Sequence, residues 1–177
     1  MRLGLKRGIA ELAEHDPEWG KLASETINRL WHIFGSVAKD IQHFGSTAIT
    51  KIKAKPIIDI AVAVDSFEKV ETLIPVMEQN GFQRFQCLTT EWCLFSAYTD
   101  STLSADTYHV HIIYNKSDQW QNCIYFRDYM NANLNSAKEY EKIKIDLANK
   151  FKDDREAYRL SKNIFIEQIL KVRGCNE

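Results

Sequence analysis

Apolar residues recur every three to four positions near the start of the chain, the spacing of one face of an α-helix. The run begins after Asp16 and Pro17, where a carboxylate can cap the first turn and a proline loses no hydrogen bond. Gly35 ends it, so the pattern predicts a helix over residues 17–34. Its inward-facing positions are Trp19, Leu22, Ala23, Thr26, Ile27, Leu30, Trp31 and Phe34.

The next segments alternate between strand and helix patterns. A short strand is predicted at residues 41–44, and residues 57–64 are so continuously apolar that both faces must be covered, as in a central strand. Asp65 and Glu68 resemble a capping box at the start of the next helix, and Asn80 and Gly81 mark its end.

Two more strands are predicted at residues 91–99 and 107–114, joined by the polar segment 100–106 as a hairpin or loop. From Gln119 onward the pattern is helical, with breaks near residues 134–136 and near Asp153. We therefore expect an α/β (α+β) fold, with a small mixed sheet flanked by helices and a C-terminal helical cap.

Composition and charge limit the class of protein. The chain has 177 residues, 45% of them hydrophobic, and a net charge of −1. We expect one domain over residues 1–177, with an α/β core at 1–116 and a helical cap at 117–177. The balanced charge argues against nonspecific binding of nucleic acid. No feature of the sequence fixes the oligomeric state.

Apolar runs and cysteines indicate the compartment. No apolar run is long enough to cross a bilayer, and charges interrupt the N-terminal segment before a signal-peptide core could form. We therefore expect a cytoplasmic protein that does not bind membranes. The four cysteines form no C-x-x-C pair, which favours reduced, packed thiols over a zinc site or a disulfide framework. They are Cys87, Cys93, Cys123 and Cys175.

The stretch from His43 to Val64 carries the clearest chemical signal. It places Gly45 and Ser46 after a short strand, and Asp59 near the start of the next one. A Gly-Ser turn lets backbone N–H groups and a hydroxyl approach a phosphate, while an aspartate on an adjacent strand can hold a divalent cation. This arrangement is typical of a nucleotidyltransferase site, although Ala61 stands where a second carboxylate is usual.

Neighbouring residues extend this candidate site. Thr47 can share the phosphate contact of Ser46, and Lys55 is a candidate phosphate cation. The alternative role of Ser46 and Thr47 is an ordinary helix cap, and the alternative for Lys55 is a solvated lysine. Asp59 lies among apolar residues, so its carboxylate must meet a cation, a metal or backbone donors.

His109 and His111 share one face of their predicted strand because side chains alternate along it. They can ligate a transition metal with Asp59 or donate hydrogen bonds to a phosphate. The alternative is a pair of hydrogen-bonded histidines on a half-buried strand.

Basic residues also recur at helical spacing in the C-terminal third. Arg155 and Lys162 fall on one stripe, and Lys144 lies four residues after a tyrosine. Such stripes are commonly solvated faces. With Arg127, they are also candidates for a pocket that binds an anionic ligand between the sheet and the cap.

Several motifs in fixed order resemble the GrpB family, a set of small proteins grouped with the nucleotidyltransferase superfold. The resemblance covers nearly the whole chain, and some domains of the family are fused to dephospho-CoA kinase. The family's Phe-Arg-Asp helix start matches residues 126–128, and its Asp-Arg-x-x-Tyr-x-x-x-Lys segment matches residues 154–162. The remaining matches are His43 to Thr47, Ala54 to Ile60, His109 to His111, and Tyr140 with Lys144.

The resemblance implies a nucleotidyltransferase-like protein that binds a nucleotide or phosphorylated metabolite with Mg²⁺ or Mn²⁺. Asp59 and Ser46 would be its catalytic residues if it transfers a nucleotidyl group to a small acceptor. Two alternatives remain open: a noncatalytic module that binds a phosphorylated ligand, and a hydrolase with one metal ion held by Asp59, His109 and His111.

The chain departs from the family in the loop after the Gly-Ser turn. The family usually has a Val-Pro-Gly step there, and this chain has Ile49, Thr50 and Lys51. Without the proline and the glycine, we expect a loop whose shape is less fixed. Lys51 and Lys53 also add positive charge beside the turn.

Overall fold

Strand β3 (Ile58–Val64) lies inside a mixed sheet in a computed structural model that describes residues 2–6, 8–89, 92–98 and 105–174. The other strands in these ranges are β1 (Leu5–Lys6), β2 (Ala38–Phe44), β4 (Gln83–Thr89), β5 (Trp92–Tyr98) and β6 (Ala105–Tyr114). The helices are α1 (Glu18–Phe34), α2 (Phe67–Gln79), α3 (Asp118–Ala132), α4 (Leu134–Lys150) and α5 (Arg155–Gly174).

The strands follow the order β2-β3-β6-β5-β4, and β1 pairs with β6. β3 and β6 run parallel, whereas the other pairs are antiparallel. Every residue of β3 is buried except Asp59, which is half-buried. The small mixed sheet and the central position of residues 57–64 are therefore confirmed.

The two faces of the sheet meet different helices. Ile58, Ile60, Val62 and Val64 pack in one core with α1 and α2. Alternation turns Asp59, Ala61 and Ala63 to the opposite face. There, Ala61 and Ala63 pack in one apolar cluster with Trp120 of α3. The candidate carboxylate thus faces the C-terminal helices.

Helices α3, α4 and α5 pack around a second core. Tyr140 lies at its centre, with its ring stacked on Phe165 at 5.5 Å and edge-on to Phe126 at 5.2 Å between centroids. Ile49 and Ile52 of the loop after the Gly-Ser turn are buried in the same cluster. The loop and the helical cap therefore share one core.

Most predicted helices are confirmed. The Asp16 carboxylate accepts a hydrogen bond from the Glu18 N–H at 3.0 Å, as expected of a cap. The predicted breaks in the C-terminal third match Asn133 and residues 151–154. For α2 the capping residue was wrong, because the Ser66 hydroxyl accepts from the Lys69 N–H at 3.3 Å.

Other details of the prediction need correction. Trp31 is 37% exposed, so it belongs to the outer face of α1. β4 was missed because its sequence, Gln-Arg-Phe-Gln-Cys-Leu-Thr, is half polar, as suits a strand at the edge of the sheet. The predicted loop at 100–106 lies outside the described residues up to 104, and β6 already begins at Ala105.

Cys93 is disulfide-bonded, so the expectation of reduced thiols is wrong for it. A missing C-x-x-C pair does not exclude a bond between cysteines that the fold brings together. Cys123 is a free thiol, and burial raises its pKa to about 12. The expectation for Cys175 and for the Cys87 side chain lies outside the described residues. None of the helices described is both long and apolar enough to span a bilayer.

Candidate metal and phosphate site

The Gly-Ser turn lies directly against Asp59. β2 ends at Phe44, Gly45 follows with φ +71°, and Ser46–Ala48 form a short 3₁₀ helix. The Asp59 side chain occupies the space where a Cβ of residue 45 would stand. The turn and the carboxylate are therefore adjacent, as the sequence spacing predicted, and Ser46 is half-buried beside them.

His43 and Thr47 fix this turn from the inside. The Thr47 hydroxyl donates to the Ile57 carbonyl at 3.3 Å and lies 3.0 Å from His43 Nε2. Because the hydroxyl has a single proton, His43 Nε2 must be the donor in the second bond. Thr47 is 1% exposed, so its hydroxyl serves the fold of the turn, and we do not assign it to the phosphate contact.

The loop after the turn is held by the helical cap. The Asn131 side chain accepts from the Thr50 N–H at 2.9 Å and donates to the Ala48 carbonyl at 3.0 Å. Lys138 donates to the Lys51 carbonyl at 2.8 Å. Lys51 itself has φ +68°, a conformation that favours glycine. Side chains of the cap thus contact the loop where the family usually has its proline and glycine, while the expectation of a less fixed loop stays a prediction.

Asp59, His109 and His111 converge. Asp59 and His109 are direct partners in the parallel β3–β6 ladder, and His111 faces Ala61. Asp59 Oδ1 lies 3.4 Å from His109 Nδ1 and 3.5 Å from His111 Nε2. One potential ligand atom from each residue falls within a 4.8 Å cluster. The prediction that the two histidines share a face with Asp59 is confirmed.

Burial and charge shift the pKa values of the three groups. Burial alone would raise the pKa of Asp59, but hydrogen bonding and charge from both histidines lower it well below its usual range. Burial would lower the pKa of His109, yet Asp106 and Asp59 raise it. For His111 burial prevails, and its pKa is lowered despite Asp59. The cluster therefore favours an ionised carboxylate.

Sequence analysis missed Asp106, which contacts the cluster from the start of β6. Its side chain is 5% exposed, and Oδ2 lies 3.4 Å from His109 Nε2. Strict alternation would put Asp106 on the face opposite His109. A register shift in the β5–β6 ladder, where Ala97 pairs with Tyr108 but Tyr98 with Asp106, brings it to the same side. No residue pattern in the sequence predicts this register shift.

Three lysines, one from the loop before β3 and two from the cap, interact with one another, and two of them interact with Asp59. Lys55 lies over the Tyr158 ring at 4.9 Å, and Lys144 lies over the Tyr140 ring at 4.7 Å. Burial, then repulsion from Lys162 and other cations, lowers the pKa of Lys55 to about 7. The same causes lower that of Lys144 to about 7.

Lys162 completes this group. Its pKa is lowered, mainly by burial, while Asp59 acts in the opposite direction. Among the described residues, Lys55, Lys144 and Lys162 form no ion pair within 4.0 Å. Lys55 and Lys162 thus interact electrostatically with Asp59, and Lys144 interacts with both of these lysines.

The two candidate arginines have protein partners. Arg127 donates to the Gln42 side chain and to the His43 carbonyl, both at 2.9 Å, and so ties α3 to β2. Arg155 donates to Asp106 at 3.2 Å. Both arginines are therefore bound within the fold, on the border of the site.

Lys144 also has a protein partner, because its ammonium group donates a hydrogen bond to the Lys53 carbonyl.

Ala61 occupies the position of the missing second acid. It is fully buried in the cluster that contains Trp120. A separate groove of about 560 Å³ is lined by residues of α3, among them Tyr125 and Tyr129, and by Arg173 of α5, and Asp59 is not among its lining residues. The potential metal ligands that converge in the described part of the chain are Asp59, His109 and His111.

Comparison with known proteins gives the family. The model of the family described as GrpB protein matches residues 9–172. The chain belongs to the GrpB family. It is 37% identical to the glutamate-rich protein GrpB of Alkalihalophilus pseudofirmus over 170 residues, which cover 95% of this chain and 98% of that protein. The crystal structure of conserved protein GrpB from Enterococcus faecalis matches with a TM-score of 0.81 and 28% identity, covering 91% and 95% of the two chains.

More distant similarities concern larger proteins. A dephospho-CoA kinase of Mycobacterium bovis is 27% identical over 164 residues, which cover 80% of this chain but 40% of that protein. The structure of Cid1, described for its RNA terminal uridylyl transferase activity, matches with a TM-score of 0.52 and 15% identity, covering 74% and 40% of the chains. At this identity the similarity shows the fold alone, which is nucleotidyltransferase-like.

Proposed function

We propose that this GrpB protein binds a nucleotide or another phosphorylated small molecule together with one divalent metal ion. The observation that carries the proposal is the convergence of Asp59, His109 and His111, with ligand atoms within 4.8 Å of one another. A Gly-Ser turn lies against this cluster, and Lys55 and Lys162 interact electrostatically with Asp59, which is the environment that a phosphorylated ligand requires.

The donor set bears on the identity of the metal. Mg²⁺ prefers oxygen ligands in octahedral geometry and keeps several waters. Imidazole nitrogens suit transition metals such as Zn²⁺ and Fe²⁺, so two imidazoles with one carboxylate fit a transition metal better than Mg²⁺. Of the two ions expected from the sequence, Mg²⁺ and Mn²⁺, we therefore favour Mn²⁺.

Each residue has a role in this proposal. A metal ion bound here would act as a Lewis acid on a phosphoryl oxygen. Ser46 would hold the phosphate through its hydroxyl and the backbone of the turn that Gly45 begins. Lys55, Lys144 and Lys162 would neutralise the ligand's charge. Transfer of a nucleotidyl group to a small acceptor is the reaction that the fold favours.

Two other functions fit parts of the same site. A hydrolase with one metal ion is favoured by the donor set, since two histidines and one carboxylate leave metal positions open for water. A binding module without turnover is favoured by Ala61, because a two-metal mechanism needs a second acid.

Calorimetry with Mn²⁺, Zn²⁺ and Mg²⁺ tests the metal site. Asp59→Asn should weaken Mn²⁺ binding by at least about 100-fold, because a first ligand matters more than the outer partners of metal sites. Asp146→Asn, an exposed aspartate on α4, is the matched control and should bind like the wild type. Equal Mn²⁺ binding by the wild type and Asp59→Asn would overturn the metal assignment.

A nucleotide panel with Mn²⁺ separates the functions. Ser46→Ala and Lys55→Ala should each weaken nucleotide binding, since each removes a contact to the phosphates. Pyrophosphate release that depends on an acceptor would identify a transferase, and orthophosphate release without one would identify a hydrolase. Binding without product would indicate a binding module. Failure to bind any phosphorylated ligand would reject the proposal.

A further inference from the structure

His109 lies between two carboxylates. Its Nδ1 is 3.4 Å from Asp59 Oδ1, and its Nε2 is 3.4 Å from Asp106 Oδ2. Asp106 also accepts a hydrogen bond from Arg155 at 3.2 Å and has a side chain only 5% exposed. The imidazole is therefore oriented from both sides by groups on β3, β6 and α5.

The two carboxylates differ in what surrounds them. Asp106 faces the guanidinium of Arg155, which is always charged and would repel a cation placed at the same oxygen. Asp59 instead lies near both His109 Nδ1 and His111 Nε2. The described lysines near Asp59 form no ion pair with it within 4.0 Å, whereas Arg155 already pairs with Asp106 at 3.2 Å. A metal ion is therefore favoured on the Asp59 side of His109 and disfavoured on the Asp106 side.

We propose that Asp106 is a positioning residue that holds the Nε2–H of His109, so that His109 offers Nδ1 to the metal while His111 offers Nε2. This inference rests on the proposed metal function. Metal-bound histidines commonly donate their other N–H to a carboxylate, which fixes the tautomer and strengthens the ligand. Asp106 and Arg155 supply that outer contact here, on a residue that strand alternation would have turned away.

The register shift in β6 has a role in this arrangement. Without it, Asp106 would lie on the face of Tyr108 and Val110, which is packed against the α1 and α2 core. With the register shift, the Asp106 carboxylate lies 3.4 Å from Nε2 of His109, which is three residues further along the strand. The irregularity thus serves the orientation of His109.

The first test uses Zn²⁺, which is diamagnetic, and long-range ¹H–¹⁵N NMR of the histidine rings. The wild type should show metal bound at Nδ1 of His109 and at Nε2 of His111, with the His109 Nε2 protonated. Ligation of His109 through Nε2 would overturn the inference, even if Zn²⁺ binds tightly.

The second test removes the outer contact. Asp106→Asn should lower Zn²⁺ affinity about 10–100-fold and mix the His109 tautomers, as expected for an outer partner of a metal ligand. Asp146→Asn is the control and should change neither. Arg155→Gln leaves Asp106 in place, and it should lower affinity less, which keeps the test valid if Asp106→Asn folds poorly.

The outcomes separate the two levels of the proposal. If wild-type protein binds Zn²⁺ and the well-folded Asp106→Asn and Arg155→Gln variants match it in affinity and tautomer, Asp106 has no positioning role and the metal site stands. If the wild type binds no metal, the proposed function fails, and this inference fails with it.

Discussion

Gly45 and Asp59 touch across the turn between β2 and β3. A Cβ built on Gly45 would overlap Asp59 Oδ2 and would lie 3.0 Å from the Asp59 Cβ and Cγ. The overlap with Oδ2 is closer than a carbon can tolerate, and the other two contacts are tight. The glycine thus serves two needs, a left-handed backbone and room for the carboxylate.

Gly45→Ala should therefore destabilise the protein by about 3 kcal/mol, from backbone strain and from overpacking together. Urea unfolding measures this change. Gly81→Ala is the matched control, because Gly81 has φ +86° but nothing within 4 Å of an added Cβ. It should cost only about 1 kcal/mol. Equal losses would show that Asp59 yields easily and does not constrain residue 45.

At Lys51 the opposite substitution, from a residue with a Cβ to glycine, should stabilise the protein. Its φ of +68° is costly for a residue with a Cβ, so Lys51→Gly should relieve strain. Lys51→Ala removes the same side chain but keeps the strain. Thermal or urea unfolding should show the glycine variant to be more stable than the alanine variant by about 1 kcal/mol. The reverse order would mean that the loop can adopt another backbone shape.

His43 should make stability depend on pH. Burial, aided by Arg127, lowers its pKa to about 4, against about 6.5 in an unfolded chain. The unfolded state therefore binds the extra proton first, and stability present above pH 6.5 is lost as the pH falls towards 4. Between pH 7 and pH 5 the loss should be about 2 kcal/mol.

His43→Gln should flatten that part of the stability profile, as measured by urea unfolding at several pH values. The control is His32→Gln, which changes an exposed histidine on α1. The control should retain the slope of the wild type. A slope that survives in His43→Gln would assign it to another group.

Lys144 should destabilise the unliganded protein but contribute to the binding of a phosphorylated ligand. Burial and nearby Lys162 lower its pKa to about 7, so between pH 7 and 10.5 the unfolded chain holds the proton that the folded protein releases. Stability from this group is full above pH 10.5 and is lost as the pH falls to 7. Lys144→Met should remove this penalty of about 4 kcal/mol at pH 7, but it also removes the hydrogen bond to the Lys53 carbonyl, which contributes about 2 kcal/mol. The free energy of unfolding at pH 7 should therefore rise by about 2 kcal/mol.

The same variant should bind a phosphorylated ligand at least about 10-fold more weakly, because it removes a charged contact. Lys142→Met, an exposed neighbour on α4, should change neither quantity. Unfolding and binding are both measured at pH 7. A destabilised Lys144→Met would mean that the hydrogen bond to the Lys53 carbonyl outweighs the buried charge.

The core of the site was predictable because it lies in one continuous stretch. Gly45 and Asp59 are linked by a turn and a strand, and alternation alone placed His109 and His111 on one face. Asp106 was not predictable, because a register shift overrides alternation. Its contact with His109 depends on how two strands pair.

The helical cap shows a second limit of sequence analysis. Helical spacing marked Lys144 and Lys162, but a periodic stripe fits a solvated face equally well. The structure instead buries Lys144 to 1% exposure against Tyr140, since α4 packs against α3, α5 and the loop that carries Lys53. The neighbouring elements decide which side of a helix is buried. The spacing of residues within the helix does not predict those neighbours.

Ala61 is buried in an apolar cluster with Trp120 and Ile113. A change of Ala61 to aspartate would therefore place a carboxylate in apolar surroundings, where a charge is costly. The packing of α3 on this face of the sheet thus opposes a second acid at position 61.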